Sequence, residues 1–306
     1  MQERERLSGM APVLRLRCAV NAAIRGFFQN CGYLEVETPV RVAVPAMERH
    51  IDVEPAGGAW LRTSPELHMK RLLAAGLPGI FQLGPCFRRG ERGDRHNPEY
   101  SMLEWYRAGA DYRDMLIEAE ALLRHVALEV RDRSAGAQAV QEGVFTRPWL
   151  IESVRDVFQR EAGWDPVAAY DAARFEHDLV NRIEPALPRD RCAVLLDYPA
   201  AAGALARLKP CDPAVAERWE VYAGGLELAN AFSELTDAAE QRKRFEAWGG
   251  ERRAEGSVVY PLDEQFLAAL EAGLPASGGV ALGVDRLVMV LAGLTSMDDV
   301  LPFRDG

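Results

Sequence analysis

Apolar positions recur at helical spacing over residues 11–30, where Leu16, Val20, Ala23, Ile24, Phe27 and Phe28 share one side and Gly32 follows as a stop. The pattern predicts an amphipathic helix. In the next segment, GYLEVETP, Leu34 and Val36 alternate with Tyr33, Glu35 and Glu37, as in a half-buried strand closed by Pro39. TSPELHMKRLL at 63–73 predicts a helix with Ser64 as N-cap, Pro65 at the first helical position and Glu66 in the first turn. Strands are predicted near 79–87 and 100–106, and a helix over 113–130. Residues 131–143, RDRSAGAQAVQEG, are polar and rich in Gly and Ala, which predicts a surface linker or insertion. Helical patterns return at 149–160 and 170–183, strands near 192–197 and 217–232, and helices at 238–248, 263–272 and 285–292. Antiparallel hairpins with helices around them predict an α+β chain, read as one domain over 1–306.

Composition narrows the class. A chain of 306 residues with 48% hydrophobic content can bury a sizeable core. No run approaches the roughly 18 to 20 apolar residues of a membrane span, and the N-terminal MQERERLSGM is charged where a signal peptide is greasy. A cytoplasmic protein without a membrane partner is expected. Cys18, Cys31, Cys86, Cys192 and Cys211 are scattered and never spaced as CxxC, so neither a disulfide framework nor a zinc site is indicated. A net charge of −10 argues against a broad nucleic-acid footprint, and tRNA is not an expected partner.

Against that acidic background, FRRGERGDRHNPEYSMLEWYR at 87–107 concentrates Arg88, Arg89, Arg92, Arg95 and His96, then turns aromatic and apolar around Glu104, Trp105 and Tyr106. Such a cluster is either a solvated basic hairpin or the surround of a polyphosphate. A second group lies in EVYAGGLELANAFSE at 220–234. Read as a strand over Leu226 to Leu235, period two puts Leu226, Leu228, Asn230, Phe232 and Glu234 on one face. Asn230 and Glu234 among apolar neighbours call for a partner, which an ammonium would supply. Glu220 and Glu227, joined across a Gly224-Gly225 turn, are either exposed strand positions or a carboxylate pair for Mg²⁺. A third stretch, SGGVALGVDRLVMVLAG at 277–293, lacks GxGxxG spacing and reads as a strand turning into a helix, with Gly283 allowing close approach and Arg286 in the first turn.

The 12–39 helix and strand, the 87–107 stretch and the 277–293 stretch resemble motifs 1, 2 and 3 of the class II aminoacyl-tRNA synthetases, and the 87–107 and 220–235 stretches resemble, within them, the lysyl branch. The resemblance rests on Phe87-Arg88, His96-Asn97-Pro98-Glu99-Tyr100, Met102-Leu103-Glu104-Trp105-Tyr106, the Glu220 to Leu235 order and Arg286, and spans nearly the whole chain. It implies an antiparallel sheet flanked by helices, a homodimer through motif 1, and ATP with Mg²⁺ as cofactors. Arg88 would hold the α-phosphate and Arg286 the γ-phosphate, Glu220 and Glu227 would carry Mg²⁺, Tyr100 would stack on adenine, and His96, Asn97 and Gly283 would complete the nucleotide site. Glu66, Glu104, Tyr106, Asn230 and Glu234, with Ser64, would form an acidic pocket for lysine or a lysine isomer.

Because the motif 1 helix begins by about residue 12 and the chain stops shortly after motif 3, an anticodon-binding domain is not expected. The chain is similar to stand-alone lysyl-type ligases that activate lysine, preferably (R)-β-lysine, and join it to a lysine of elongation factor P. Those ligases carry Ala where lysyl-tRNA synthetases carry Gly, and Ala281 stands there. Its methyl would favour an amino group one carbon along; a neutral small-residue exchange is the alternative. One departure concerns adenine, since Gly90 replaces the Glu that contacts its amino group, and Glu91 is the candidate substitute. A minimal synthetase charging tRNA or a carrier protein, and a non-catalytic paralogue, are the remaining alternatives.

Overall fold

The computed structural model describes residues 2–133 and 140–304. Its strands, in chain order, are β1 (Leu34–Glu35), β2 (Arg41–Val42), β3 (Trp60–Leu61), β4 (Gly79–Phe87), β5 (Glu99–Ala108) and β6 (Leu150–Ser153). They continue with β7 (Ala193–Pro199), β8 (Leu208–Lys209), β9 (Asp212–Ala223), β10 (Leu226–Ser233) and β11 (Ser277–Gly283). The main sheet runs β1-β4-β5-β11-β10-β9-β7-β6, with β8 also on β9; β2 and β3 form a separate ladder. Its centre is antiparallel, as the α+β pattern predicts, while β1 on β4 and β6 on β7 are parallel.

The sheet has two unlike faces. Leu103 and Trp105 of β5, Ala229 and Ala231 of β10 and Val280 and Leu282 of β11 point into a core completed by the helices Ala11–Asn30, Tyr112–Arg133 and Val284–Ala292. The alternate positions Glu104, Tyr106, Asn230, Phe232, Gly279 and Ala281 point to the opposite face. That face carries the candidate site.

Several local expectations change. Tyr33, not Leu34, is buried, because its ring packs edge-on to Phe28 at 5.2 Å and its hydroxyl donates to Glu118 at 2.6 Å, leaving Leu34 53% exposed. Residues 150–153 are strand rather than helix, and Ser153 then caps Val154–Glu161 by accepting from the Asp156 amide. A helix at Gln2–Gly9 buries no residue and so left no apolar period to read. The helix over 170–183 is Ala172–Asp178 followed by a π turn at Leu179–Ile183. Of the proposed linker, 131–133 belong to the helix Tyr112–Arg133, Gly143 starts a short helix, and 134–139 lie outside the described residues. Among the described residues no helix is long and apolar enough to cross a membrane.

Candidate active site

Two cavities meet on the polar face of the sheet. One, of about 300 Å³, is lined by Arg88, Glu91, Arg95, His96, Asn97, Tyr100, Glu227, Gly283 and Arg286. The other, of about 450 Å³, is lined by Ser64, Glu66, Glu104, Tyr106, Glu220, Phe232 and Glu234. Arg88, Met102, Asn230 and Ala281 line both. The first is bordered by guanidinium groups and the second by carboxylates, and Arg88 stands at the junction.

The acidic cavity is built from adjacent strands. Glu104 lies opposite Ala281, and Gly279 lies between Tyr106 and Phe232 in the paired strands. A Cβ on Gly279 would sit 2.3 Å from both the Tyr106 ring and Glu234 Oε1, so only glycine lets these groups close over the strand. The helix Glu66–Ala74 starts one residue later than expected, with Pro65 rather than Ser64 at its N-cap position; Ser64 Oγ accepts from the Glu66 amide at 2.9 Å and donates to Glu104 Oε1 at 2.6 Å. Tyr106 donates to Glu104 Oε2 at 2.8 Å. Burial and the neighbouring Glu66 push the Glu104 carboxyl up to about 8 despite these two donors.

An internal cation lies behind this pocket, against two of its lining carboxylates. The Lys70 ammonium, one helical turn after Glu66 and 1% exposed, is ion-paired with both Glu66 and Glu234. Burial works against its charge, but the two carboxylates outweigh burial and hold its pKa above the ordinary lysine value. Glu234 is raised to about 7 by burial, with Lys70 opposing. The pocket is thus a carboxylate cluster partly balanced from behind.

Asn230 faces this cavity by a different route from the one its spacing implies. Between Glu227 and Ala229 the register of β10 on β9 shifts, a β-bulge at Leu228. Leu226 and Leu228 therefore join Ala229 and Ala231 in the core, while Glu227, Asn230 and Phe232 face out. Arg218 Nε donates to Asn230 Oδ1 at 3.2 Å. Arginine cannot accept, so the Asn230 NH₂ is left for the cavity. It suits a carboxylate or phosphate oxygen rather than the ammonium expected from sequence.

Register also separates the two metal candidates. Glu220 pairs across with Asn230 and Glu227 with Tyr222, so the carboxylates are diagonal neighbours rather than facing partners. Glu220 accepts from Tyr198 and Tyr222 at 2.5 and 2.6 Å on Oε2 and from Arg218 on Oε1, leaving about one of a carboxylate's four acceptor positions. Glu227 has a 3.6 Å contact with Arg286 and is raised by burial and by Glu220. Glu184, missed in the sequence, adds a third carboxyl to this field and is raised to about 7 by burial and the other two. Among the described residues no group of three or more such side chains forms a metal cage. The donor set fits Mg²⁺ held chiefly by phosphate oxygens and water, with Glu227 as the main protein ligand.

In the cationic cavity, the Arg88 guanidinium lies over the Tyr100 ring at 5.3 Å and 3.6 Å from Glu91. Its buried Nε has no partner among the described residues, which suits an arriving anion. Tyr100 donates to the Thr63 carbonyl at 2.9 Å, so it supports Arg88 as well as bordering the cavity. Arg286 Nη1 donates to the Glu227 carbonyl at 2.8 Å and Nη2 lies 2.7 Å from His96 Nε2. Desolvation and the Arg286 charge lower the His96 pKa, favouring neutral imidazole as the acceptor. Asp285 pairs instead with Arg17 at 2.6 Å, leaving Arg286 to the cavity. Gly90 has a φ of +77°, so glycine serves a left-handed turn that brings Glu91 to the cavity wall. Asn97 is engaged by the fold: its amide donates to the Glu99 carbonyl and its oxygen accepts from Arg304. Gly283 has no protein atom nearer than 3.9 Å to a built Cβ, so protein packing does not require it.

The class II tRNA synthetase model (D, K and N) matches residues 4–305. This chain belongs to that family. The class II synthetases use ATP, and residues from the 87–107, 220–234 and 277–293 stretches of this chain line the two cavities just described. The chain is 41% identical to elongation factor P–(R)-β-lysine ligase of Klebsiella pneumoniae, over 97% of this chain and 96% of that protein. It is 41% identical to the Vibrio cholerae ligase of the same name, over 95% and 94%, and 38% identical to that of Haemophilus influenzae, over 94% and 93%. Lys70, Arg218, Glu184 and Arg304 are the features of this class II site that sequence reasoning missed. Lys70 carried one signal, its i+4 spacing from Glu66; the others depend on long-range register or chain return.

Proposed function

We propose that this chain is an ATP-dependent lysine ligase: it activates lysine, preferably (R)-β-lysine, as an adenylate and transfers it to a lysine ε-amine of elongation factor P. The supporting observation is the meeting of a guanidinium-bordered cavity and a carboxylate-rich cavity at Arg88, Met102, Asn230 and Ala281. ATP in the first and a diamino acid in the second would bring α-phosphate and carboxylate together there.

Positioning and electrostatics account for the activation step. Arg88, whose Nε has no partner among the described residues, would hold the α-phosphate as the lysine carboxylate attacks, and the Asn230 amide would orient that carboxylate. Arg286 would bind the γ-phosphate, with His96 beside it, and Glu91 and Tyr100 would border adenine. Mg²⁺ held by Glu227 and the free acceptor position of Glu220 would neutralise charge on the polyphosphate. Glu66, Glu104 and Glu234, oriented by Ser64, Tyr106 and Lys70, would receive the substrate ammonium groups. Charge-assisted hydrogen bonds would offset their desolvation. Ala281 would shorten the space at the α-carbon in favour of the β-amino isomer.

The same family assignment supports a homodimer through motif 1, where the exposed Leu34 offers an apolar contact. Intact-mass analysis of elongation factor P after incubation with the protein, ATP, Mg²⁺ and (R)-β-lysine tests the proposal. One added β-lysyl group on one lysine is expected; unchanged mass with active adenylation would place the acceptor elsewhere.

A further inference from the structure

The acidic cavity extends past Arg88 to a wall carrying Glu48, His50 and Glu176. Most carboxylates along it are committed. Glu66 and Glu234 hold Lys70, Glu104 accepts from Ser64 and Tyr106, Glu220 is held by two tyrosines and Arg218, and Glu176 meets His50 at 3.4 Å. Glu48 differs. Among the described residues its carboxylate has a single hydrogen-bond donor, the Thr63 hydroxyl at a long 3.4 Å.

Its backbone is nevertheless fixed. Buried Arg252 donates to the carbonyls of Glu48, Arg49 and Ile51 at 3.1, 2.9 and 3.2 Å and pairs with Asp52. The Arg89 amide donates to the Asp52 carbonyl at 2.8 Å, tying the segment to the end of β4. Thr63 also links Glu48 to the Arg88 platform, because its carbonyl accepts from Tyr100, over which Arg88 lies. A partly exposed, lightly engaged carboxylate thus rises from a fixed backbone near the residue at the junction of the two cavities. The charged groups facing it are Arg88, Glu66 and Glu91; burial and the two glutamates raise its pKa and Arg88 lowers it.

We propose that Glu48 is the general base that deprotonates the acceptor amine in the transfer step, an assignment that rests on the ligase function proposed above. The acceptor ε-ammonium gives one proton to the Glu48 carboxylate, and the freed lone pair attacks the carbonyl carbon of the lysyl-adenylate. The C–N bond forms and the C–O bond to the α-phosphate breaks. AMP departs with that electron pair and takes the second proton from nitrogen. Glu48 then returns its proton to solvent. Activation involves no amine deprotonation, so Glu48 acts in the second half-reaction alone.

Glu48→Gln and Glu48→Asp, assayed beside wild type, test this by ATP–pyrophosphate exchange with (R)-β-lysine and by single-turnover transfer to elongation factor P from preformed adenylate. Glu48→Gln is expected to slow transfer by about 100-fold or more at pH 7, with exchange reduced less than about threefold. Raising the pH to 9.5, where more acceptor amine is already neutral, should recover most of the loss, and Glu48→Asp should retain part of the rate. Equal losses in both half-reactions, no loss in transfer, or a transfer defect insensitive to pH would each overturn the assignment. Wild type without exchange would instead overturn the ligase function itself.

Discussion

The ammonium of Lys70 and the carboxylate of Glu234, each 1% exposed, form an ion pair behind the wall of the pocket that would receive another ammonium. Glu66 shares the same lysine. Lys70→Met would leave two carboxylates without their buried counter-ion, a change that costs about 3–5 kcal/mol. Urea unfolding should show that loss at pH 8 and a smaller one at pH 6, where the orphaned Glu234 carboxylate protonates; wild-type stability at pH 8 would contradict the pairing.

Gly279 is the closest backbone approach in the acidic cavity, with built-Cβ contacts of 2.3 Å to Tyr106 and Glu234. Gly279→Ala should destabilise the protein by about 1–3 kcal/mol through overpacking. The displaced groups are those expected to bind lysine. KM for lysine should therefore rise about tenfold or more while KM for ATP changes little, as steady-state exchange would show.

Ala281 lines both cavities and lies opposite Glu104 and Asn230. Removing its methyl opens space where the α-amino group would sit. Ala281→Gly should shift the ratio of kcat/KM for (R)-β-lysine over α-lysine towards α-lysine by about 1–3 kcal/mol, the scale of one methyl group. An unchanged ratio would assign selectivity elsewhere.

Glu104 and Glu234 have folded pKa values of about 8 and about 7, above the ordinary glutamate value. The folded state therefore holds these protons more tightly than the unfolded state. Their contribution to stability is complete below the unfolded value and is lost as pH rises through about 7 and 8. A bound diamino acid favours the ionised carboxylates. Thermal unfolding should show a larger stabilisation by lysine at pH 8.5 than at pH 6.

Arg88 combines a buried Nε that has no partner among the described residues with a place in both cavities. Arg88→Ala should reduce pyrophosphate exchange by about 10²–10³-fold, as loss of a donor to developing charge does. A comparable fall in elongation factor P modification and little change in unfolding temperature would place the loss in chemistry rather than folding.

The amphipathic helix at Ala11–Asn30, the β4–β5 hairpin and the β11-to-helix turn were legible because each carries an uninterrupted period and a clear stop. So was the basic cluster, since Arg88, Arg89, Arg92, Arg95 and His96 are nearly contiguous, whereas the acidic pocket draws on residues from 64 to 234 and was legible only through the family resemblance. The β10 reading failed at one point: the bulge at Leu228 inserts an extra position, so Leu226 and Leu228 turn into the core, while Asn230, Phe232 and Glu234 share the cavity face as their alternation predicts. Tyr33 took the inward position from Leu34 because a long-range partner, Glu118, satisfied its hydroxyl. Arg304 reaching Asn97 and Arg218 fixing Asn230 likewise depend on contacts across the fold that no local pattern encodes.

ATP–pyrophosphate exchange, run with α-lysine and with (R)-β-lysine in the absence of any acceptor, tests the central claim most directly. Exchange that requires a lysine isomer and runs faster with the β isomer is the expected result. No exchange with either, by folded protein supplied with ATP and Mg²⁺, would contradict activation at the junction of the two cavities.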